Sequence, residues 1–312
     1  MAKARALDRR RRSIRNIRKI TRTMELIATA RFKKAMDRAT AATAYTRRIT
    51  QIVNDLAQSG LEVSHPLLDE RESTKSATLM VITSNRGLCG GYNSSIVRAA
   101  LARHEELKAK FESVRLELSG KRGISMFKFR KLPAHHAYTH FGDQPRYQDV
   151  DVVATRLLEE YATGQIDRLD VAYMRFVSAS KQVPEVETLL PLGSLDLADS
   201  AGGPSQGGAS PGSAAARESG SSRRAESLYD LLPSAESILA EVVPASFKVR
   251  LFKCFLDAAV SEQISRMVAM KSATENAGDI IRRLSMAYNR ARQSQITGEI
   301  MEVLGGVEAL KG

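Results

Sequence analysis

The sequence predicts an α/β fold in which the two chain ends supply a long antiparallel two-helix coiled coil and the middle supplies a separate α/β module. Three observations carry this reading. No proline or glycine interrupts the chain between Ala4 and Ser59. A four–three spacing of mostly apolar side chains runs unbroken from Leu256 to Ala291. Between those ends, short apolar runs alternate with helical stretches.

The N-terminal segment reads as one helix stopped by Gly60. At ~1.5 Å per residue it would be roughly 80 Å long, far beyond an ordinary globular helix. A seven-residue spacing runs through Ile14, Thr21, Ala28, Ala35, Ala42, Ile49 and Leu56. A second series, Ile17 and Met24 and then Tyr45 and Ile52, is interrupted by Arg31 and Arg38. This thin stripe of small residues is the pattern of a coiled-coil seam with close backbone approach at the alanines.

The other end mirrors it. Pro244 fits the first turn of a closing helix, and no proline follows it. The row Leu256, Val260, Gln263, Met267, Met270, Thr274, Ala277, Ile281, Leu284, Tyr288, Ala291 contains two clearly polar members, Gln263 and Thr274. Two narrow stripes on a chain that travels out and back cover each other by antiparallel pairing. The plainer alternative packs each helix on its own globular neighbour, but a seam sustained this long favours the coiled coil.

Between the helices, Ala77–Thr83 reads as a buried strand, followed by SNRGLCGGYN and a helix over Ser94–Lys110. Val114–Leu118, His136–Phe141, Arg168–Ser178 and Pro184–Leu190 read as further strands, and Val150–Tyr161 as a helix. Such alternation argues for a mostly parallel sheet with helical crossovers, a Rossmann-like module. Twenty of the 23 residues from 200 to 222 are Ser, Gly, Ala or Pro. That composition cannot bury enough apolar surface to offset its ordering entropy, so a disordered insertion is expected. The resulting division is 1–60 (N-terminal helix), 61–193 (α/β domain), 194–227 (insertion) and 228–312 (C-terminal helix).

Composition narrows the function. The 312 residues are 43% hydrophobic and 26% charged, enough for a packed core. No apolar run approaches the ~18–20 residues that cross a bilayer. Cys89 and Cys254, 165 positions apart, exclude a disulfide scaffold and a four-cysteine zinc site. The net charge of +12 is concentrated: residues 1–48 hold sixteen Lys/Arg against Asp8, Glu25 and Asp37, while the rest carries 31 basic and 32 acidic groups. The first helix should therefore meet an acidic surface, whether nucleic acid, anionic lipid or protein. An Arg-rich start also occurs in transit peptides, but the helical pattern begins almost at once.

No catalytic constellation emerges. Gly87-Leu-Cys-Gly-Gly91 follows a strand and precedes a helix, yet matches neither GxGxxG nor GxxxxGK[ST]; a tight turn and an anion site are the two readings, the turn preferred. Gly120-Lys121 fails as a phosphate loop because Arg122 stands in the magnesium-binding position. His136 and His140, with His135 adjacent, lack a third ligand and helical geometry for metal. Cys89 has no motif-supplied base. No cofactor and no metal are expected.

Four blocks carry a resemblance: SIRNIRKITRTMELIATARFKKAM (13–36), SNRGLCGGYN (84–93), QVPEVETLLPL (182–192), and residues 261–310 with SEQISRMVAMKSATENA and YNRARQSQITGEIMEVLGGVEAL. They resemble the gamma subunit of F-type ATP synthase, over the whole chain except 194–227. The resemblance implies a non-catalytic rotor shaft turning inside a ring of alpha and beta subunits, with the α/β domain at its foot against epsilon and the c-subunit ring. Rotation would couple ion flow to ATP synthesis or hydrolysis at the beta sites.

Residue by residue, the resemblance implies beta contacts at Arg292, Gln293, Thr297 and Glu299, with Arg266 lower on the shaft and Met24 facing an acidic beta segment. Val303, Leu304, Val307 and Leu310 would form the apolar tip. Each is otherwise solvated or fraying helix surface. Asn85 stands where the family usually has Asp, and Gly298 where a longer polar residue is usual. The insertion lacks the cysteine pair of chloroplast relatives, which excludes thiol regulation by that route. With no transit segment ahead of the shaft motif, the expected location is the cytoplasmic face of a bacterial inner membrane, held there through the complex. The alternative function is a basic coiled-coil nucleic-acid binder, against which the charged segment offers only Phe32 and Tyr45 as aromatics.

Overall fold

A computed structural model describes residues 2–58, 67, 75–192 and 235–309; the side chains at 2, 3, 44–47, 49–58, 235–239 and 309 are outside the description. The low-complexity insertion and Leu310 also lie outside it. In chain order the elements are α1 (Ala2–Gln58), β1 (Ser76–Ile82), α2 (Tyr92–Lys110), β2 (Ser113–Ser119), α3 (Lys121–Phe129), β3 (His136–Tyr138), α4 (Tyr147–Ala162), β4 (Arg168–Ser178), β5 (Lys181–Leu190) and α5 (Ala235–Ala309). They fall into two compact units. One comprises Met1–Ala30, Leu88–Gly90 and Ser265–Gly312, and the other Arg31–Gly87 and Gly91–Ile264. Both α1 and α5 contribute to each.

In the larger unit a five-stranded sheet has the order β3-β2-β1-β4-β5, parallel except for the β4–β5 pair. The mostly parallel sheet expected from alternating elements is thus present. β1 is central, and Ala77–Ile82 are all buried, as a strand covered on both faces requires. Met80 and Ile82 join Val150, Val153, Leu157 and Tyr161 of α4 and Val243, Phe247, Leu251 and Phe255 of α5 in one core. α2 packs on β1, β4 and β5 through Tyr92, Ile96, Val97, Ala100 and Leu107. β5 begins at Lys181, ahead of Pro184, which an antiparallel edge strand tolerates because its free side needs no N–H donor.

Two expectations need correction. α3 was not anticipated: nine residues containing a glycine, with only Gly123 and Phe127 buried, give too short a pattern to register. Pro244 lies inside α5, which starts at Ala235, so it does not open the helix. A proline removes one backbone donor, leaving the carbonyl of Ala240 without its i+4 partner, and crowds the preceding turn; the surrounding helix is held by its burial, with Val243 and Phe247 fully buried in the core.

The larger unit also holds helix–helix packing. Ala35 and Ala39 of α1 pack with Leu256, Val260 and Ile264 of α5. Gln263, fully buried, donates to Asp143 at 3.3 Å, and Arg31 of α1 pairs with the same carboxylate. In the smaller unit α1 and α5 run antiparallel. Arg11 lies over the Tyr288 ring (4.7 Å), Arg18 lies beside Gly278, and the Thr274 hydroxyl bonds that of Thr21 at 2.8 Å. Gln263 and Thr274, the two polar members of the α5 row, each therefore have a specific partner, which penalises a slip of register.

Within that pairing the α5 row behaves as its spacing predicts: none of its members is exposed. The α1 row is confirmed through Thr21, Ala28 and Ala35, with Ile49 and Leu56 outside the described side chains; of the second series Tyr45 and Ile52 also lie outside them, and Ile17 and Met24 do not face the seam. Ile17 is 46% exposed and Met24 38%, while Arg11 and Glu25, four residues after Leu7 and Thr21, are turned inward. Long polar side chains can lay their stems along a seam and keep their heads wet, so the second row need not be apolar. Arg11 and Arg22 secure theirs on Asp8 and Glu25 at 2.6 and 2.7 Å.

Candidate functional site

The place where a sheet of this order takes a ligand is the crevice at the carboxyl ends of β1 and β4, where the strand order reverses. Here α5 occupies it. The Ser261 hydroxyl donates to the Met174 carbonyl of β4 at 3.2 Å, and the Tyr92 hydroxyl to the Ala258 carbonyl at 3.0 Å. Phe255, Ala258, Ala259 and Glu262 close over Ile82, Thr83 and Ser119, leaving a cavity of about 30 Å³. That is room for water, against the ~300–1,000 Å³ of small-molecule sites.

The loops around this closed crevice are structural joints. Leu88 and Gly90 have φ of 65° and 58°, so the Gly-rich loop turns tightly before α2. Ser84 and Asn93 lock its ends, with Asn93 Nδ2 donating to Ser84 Oγ at 2.8 Å. Gly120, at φ 97°, lies so close to Thr83 that a Cβ would sit 2.2 Å from the Thr83 carbonyl oxygen. Asn85 explains its own departure from Asp. Its amide donates to the carbonyls of Phe141 and Thr139, while its oxygen accepts from the Lys121 N–H at 3.0 Å. An ionised carboxylate could fill only the last role. Among the described residues no cluster of three His, Cys, Asp or Glu could hold a metal.

The residues singled out from the sequence lie in the smaller unit. Met24, Arg292, Gln293, Thr297 and Glu299 are exposed on helix surfaces, and Glu299 accepts from Gln295 at 2.8 Å. Arg266 is buried, with 7% of its surface exposed. Val303, Leu304 and Val307 are 67%, 58% and 46% exposed. Indeed every residue from 296 to 308 is exposed, beyond the last inward position at Gln295.

Two features escaped sequence reasoning. Arg292 stands across an open groove from Arg5, Arg9 and Arg12, with Tyr288, Gln295, Ile296 and Asp8 completing its walls. Arg5, Arg9 and Arg12 have helical i, i+4, i+7 spacing, a signal present in the sequence but meaningless until Arg292 faces it. The second is an apolar stripe on α1, Ile17, Ile20, Met24 and Ile27, all at least 38% exposed. In a monomer such a stripe is unusual, and it marks a partner surface.

A helix pair with exposed basic and apolar surface, joined to an α/β module whose ligand crevice is filled from within, defines a structural coupling element of a larger assembly. The comparisons give it a family. The family model described as ATP synthase matches residues 3–310. The chain is 61% identical to the ATP synthase gamma chain of Rhodopirellula baltica, covering 100% of both, and 35% identical to that of Leptospira biflexa, covering 99% and 100%. It belongs to the ATP synthase gamma chain family, and its place is the central stalk of F-type ATP synthase. Two solved structures share the fold. A chain of the Euglena gracilis mitochondrial ATP synthase OSCP/F1/c-ring aligns with TM-score 0.63 at 19% identity, over 99% of this chain and 95% of that one. A chain of the Tetrahymena thermophila central stalk/c-ring aligns with TM-score 0.52 at 20% identity, over 81% and 99%.

Proposed function

We propose that this subunit transmits rotation without a catalytic site of its own. Its helix pair turns inside a ring of alpha and beta subunits and switches the beta sites between nucleotide affinities. The observation that carries the reading is the free end of α5, where Ile296, Ile300, Met301, Val303, Leu304 and Val307 stand exposed on a helix that continues past its last inward-facing residue. Such a surface suits a surrounding sleeve that covers apolar groups without bonding to them, since non-directional contacts let one surface slide on another.

Met24, Arg292, Gln293, Thr297 and Glu299 are the proposed direct contacts to beta, and Val303, Leu304, Val307 and Leu310 the tip. Arg266 belongs to the same set by resemblance, but at 7% exposure it has little surface to offer. The four-arginine groove supports the expectation that α1 meets acidic segments. Residues 61–193 form the foot, against epsilon and the c-subunit ring. No helix of the described residues is long and apolar enough to cross a membrane. Attachment at the cytoplasmic face of the bacterial inner membrane is therefore proposed to run through the complex, and nucleic acid is not a proposed partner.

The test is turnover by the purified chain beside the same chain combined with alpha and beta subunits. The chain alone should hydrolyse no ATP, and the combination should. Hydrolysis by the chain alone, lost in a Lys121→Ala variant, would overturn the reading.

A further inference from the structure

α3 carries a surface that neither the shaft nor the sheet uses. Its buried side is Gly123 and Phe127, and its far end projects Phe129, 87% exposed and the most exposed large apolar residue among those described. Close to it in the chain, Lys128, Arg130 and Lys131 are all exposed, as is Lys121 at the helix start, and none of the four forms an ion pair among the described residues. From Lys121 to Lys131 there are five basic residues and no acidic one. The patch is invisible in the overall charge, because the chain beyond residue 48 is close to neutral.

Two ordinary explanations fall short. Cations complement the carbonyl end of a helix, where Lys128, Arg130 and Lys131 lie and Arg130 Nη1 donates to the Met126 carbonyl at 3.4 Å, but this accounts neither for Lys121 and Arg122 at the opposite end nor for the exposed Phe129 ring. The helix stop also does not require lysine. Leu132 N–H bonds the Phe127 carbonyl at 3.1 Å and Lys131 N–H the Lys128 carbonyl at 3.0 Å, which is the Schellman arrangement. Lys131 fills its left-handed position at φ 60°, where glycine would sit without strain. The sequence accepts that strain and places a cation beside the projecting ring.

An exposed aromatic ring with exposed cations at positions 128, 130 and 131 matches the chemistry of an anionic bilayer surface. The ring enters the boundary between headgroups and acyl chains, and the ammonium and guanidinium heads reach back to phosphates. A protein partner would need both carboxylates and a shaped pocket; a lipid surface accepts the same side chains without either. We propose that the C-terminal end of α3 is a contact with the anionic phospholipid surface, made by Phe129 with Lys128, Arg130 and Lys131. This direct contact goes beyond attachment through the complex and does not depend on how the shaft works.

The chain has no tryptophan, so one introduced there reports on that position alone. The full-length Phe129→Trp variant is mixed with phosphatidylglycerol/phosphatidylcholine vesicles carrying brominated acyl chains, with pure phosphatidylcholine vesicles as reference. Its fluorescence should shift to the blue and be quenched only on the anionic vesicles. A Val152→Trp variant, on the exposed side of α4 (Val152 is 71% exposed), should show neither change. Adding Lys128→Ser, Arg130→Ser and Lys131→Ser should raise the lipid needed for half-maximal quenching about fivefold per cation removed, since each is worth ~1 kcal/mol near an anionic surface. All these positions are exposed, so the fold should survive. If the chain sediments with anionic vesicles while Phe129→Trp stays unshifted and unquenched, the basic α1 alone binds lipid and the proposal fails. It fails equally if the chain does not bind, or if both tryptophan variants are quenched alike.

Discussion

Replacing Gly120 with alanine should damage the α/β module more than any other single methyl group added to it. The backbone there has φ 97° and ψ 132°, a region essentially restricted to glycine, which costs another residue about 1–3 kcal/mol. The added Cβ would also meet the Thr83 carbonyl oxygen at 2.2 Å, its carbon at 2.6 Å and its hydroxyl at 2.6 Å. None of these can swing away. Thr83 N–H bonds the Ser119 carbonyl at 2.8 Å, its hydroxyl bonds the same carbonyl at 2.7 Å, and Gly123 N–H bonds that hydroxyl at 3.0 Å. Forcing atoms into such a site costs about a further 1–3 kcal/mol. A total of about 3–5 kcal/mol corresponds to a melting midpoint lowered by roughly 10 °C for a domain of this size. The measurement is thermal unfolding followed by circular dichroism, with Gly142→Ala alongside, because a Cβ on Gly142 would meet no heavy atom within 4 Å. A Gly120→Ala midpoint matching that control would refute the steric argument.

Two further outcomes test local chemistry. Asn85→Asp removes both donations to the Thr139 and Phe141 carbonyls; with the site partly exposed, about 1–2 kcal/mol should be lost in urea unfolding at pH 8, and an unchanged midpoint would count against the assignment. Asp257 has its carboxyl pushed up to about 7, by burial first, then by Glu187 and Glu185, with Lys253 and Arg175 opposing. Its folded value exceeds its unfolded one, so the native state binds the extra proton and stability should fall as pH rises from about 4 to 7. Asp257→Asn should flatten that slope when urea midpoints are compared at pH 5 and pH 8, and a slope that persists would place its cause elsewhere.

What could be read in the sequence depended on whether a signal lay within one element. The α5 row survived because a four–three spacing is a property of one helix, and β1 because a run of buried apolar residues allows few alternatives. In the second row of α1, Ile17 and Met24 look like core because the direction of their partner is not written in α1, and only the α5 residues opposite Thr21 and Arg11 fix the seam. The arginine groove was illegible for the same reason, since Arg292 lies nearly 300 residues from Arg5. α3 failed differently. With two buried residues and three cations in nine positions it has scarcely any periodic signal, and the sheet beneath it decides its conformation.

The claim that the helix pair turns against beta is tested most directly by tethering it. A Cys replaces Gln293, a second Cys replaces the facing residue of a beta-subunit loop, and the assembled complex is oxidised. Disulfide geometry needs Cα atoms within ~7 Å, so only a true contact should link efficiently. Both native cysteines, Cys89 and Cys254, are buried and should stay unreactive. The control is a Thr21→Cys, Thr274→Cys pair, whose hydroxyls lie 2.8 Å apart, because a bond within the helix pair leaves it free to turn. Oxidation should abolish ATP hydrolysis in the Gln293–beta complex, reduction should restore it, and the internal pair should keep its full rate. Complete tethering at Gln293 with turnover undiminished would contradict rotation at that contact.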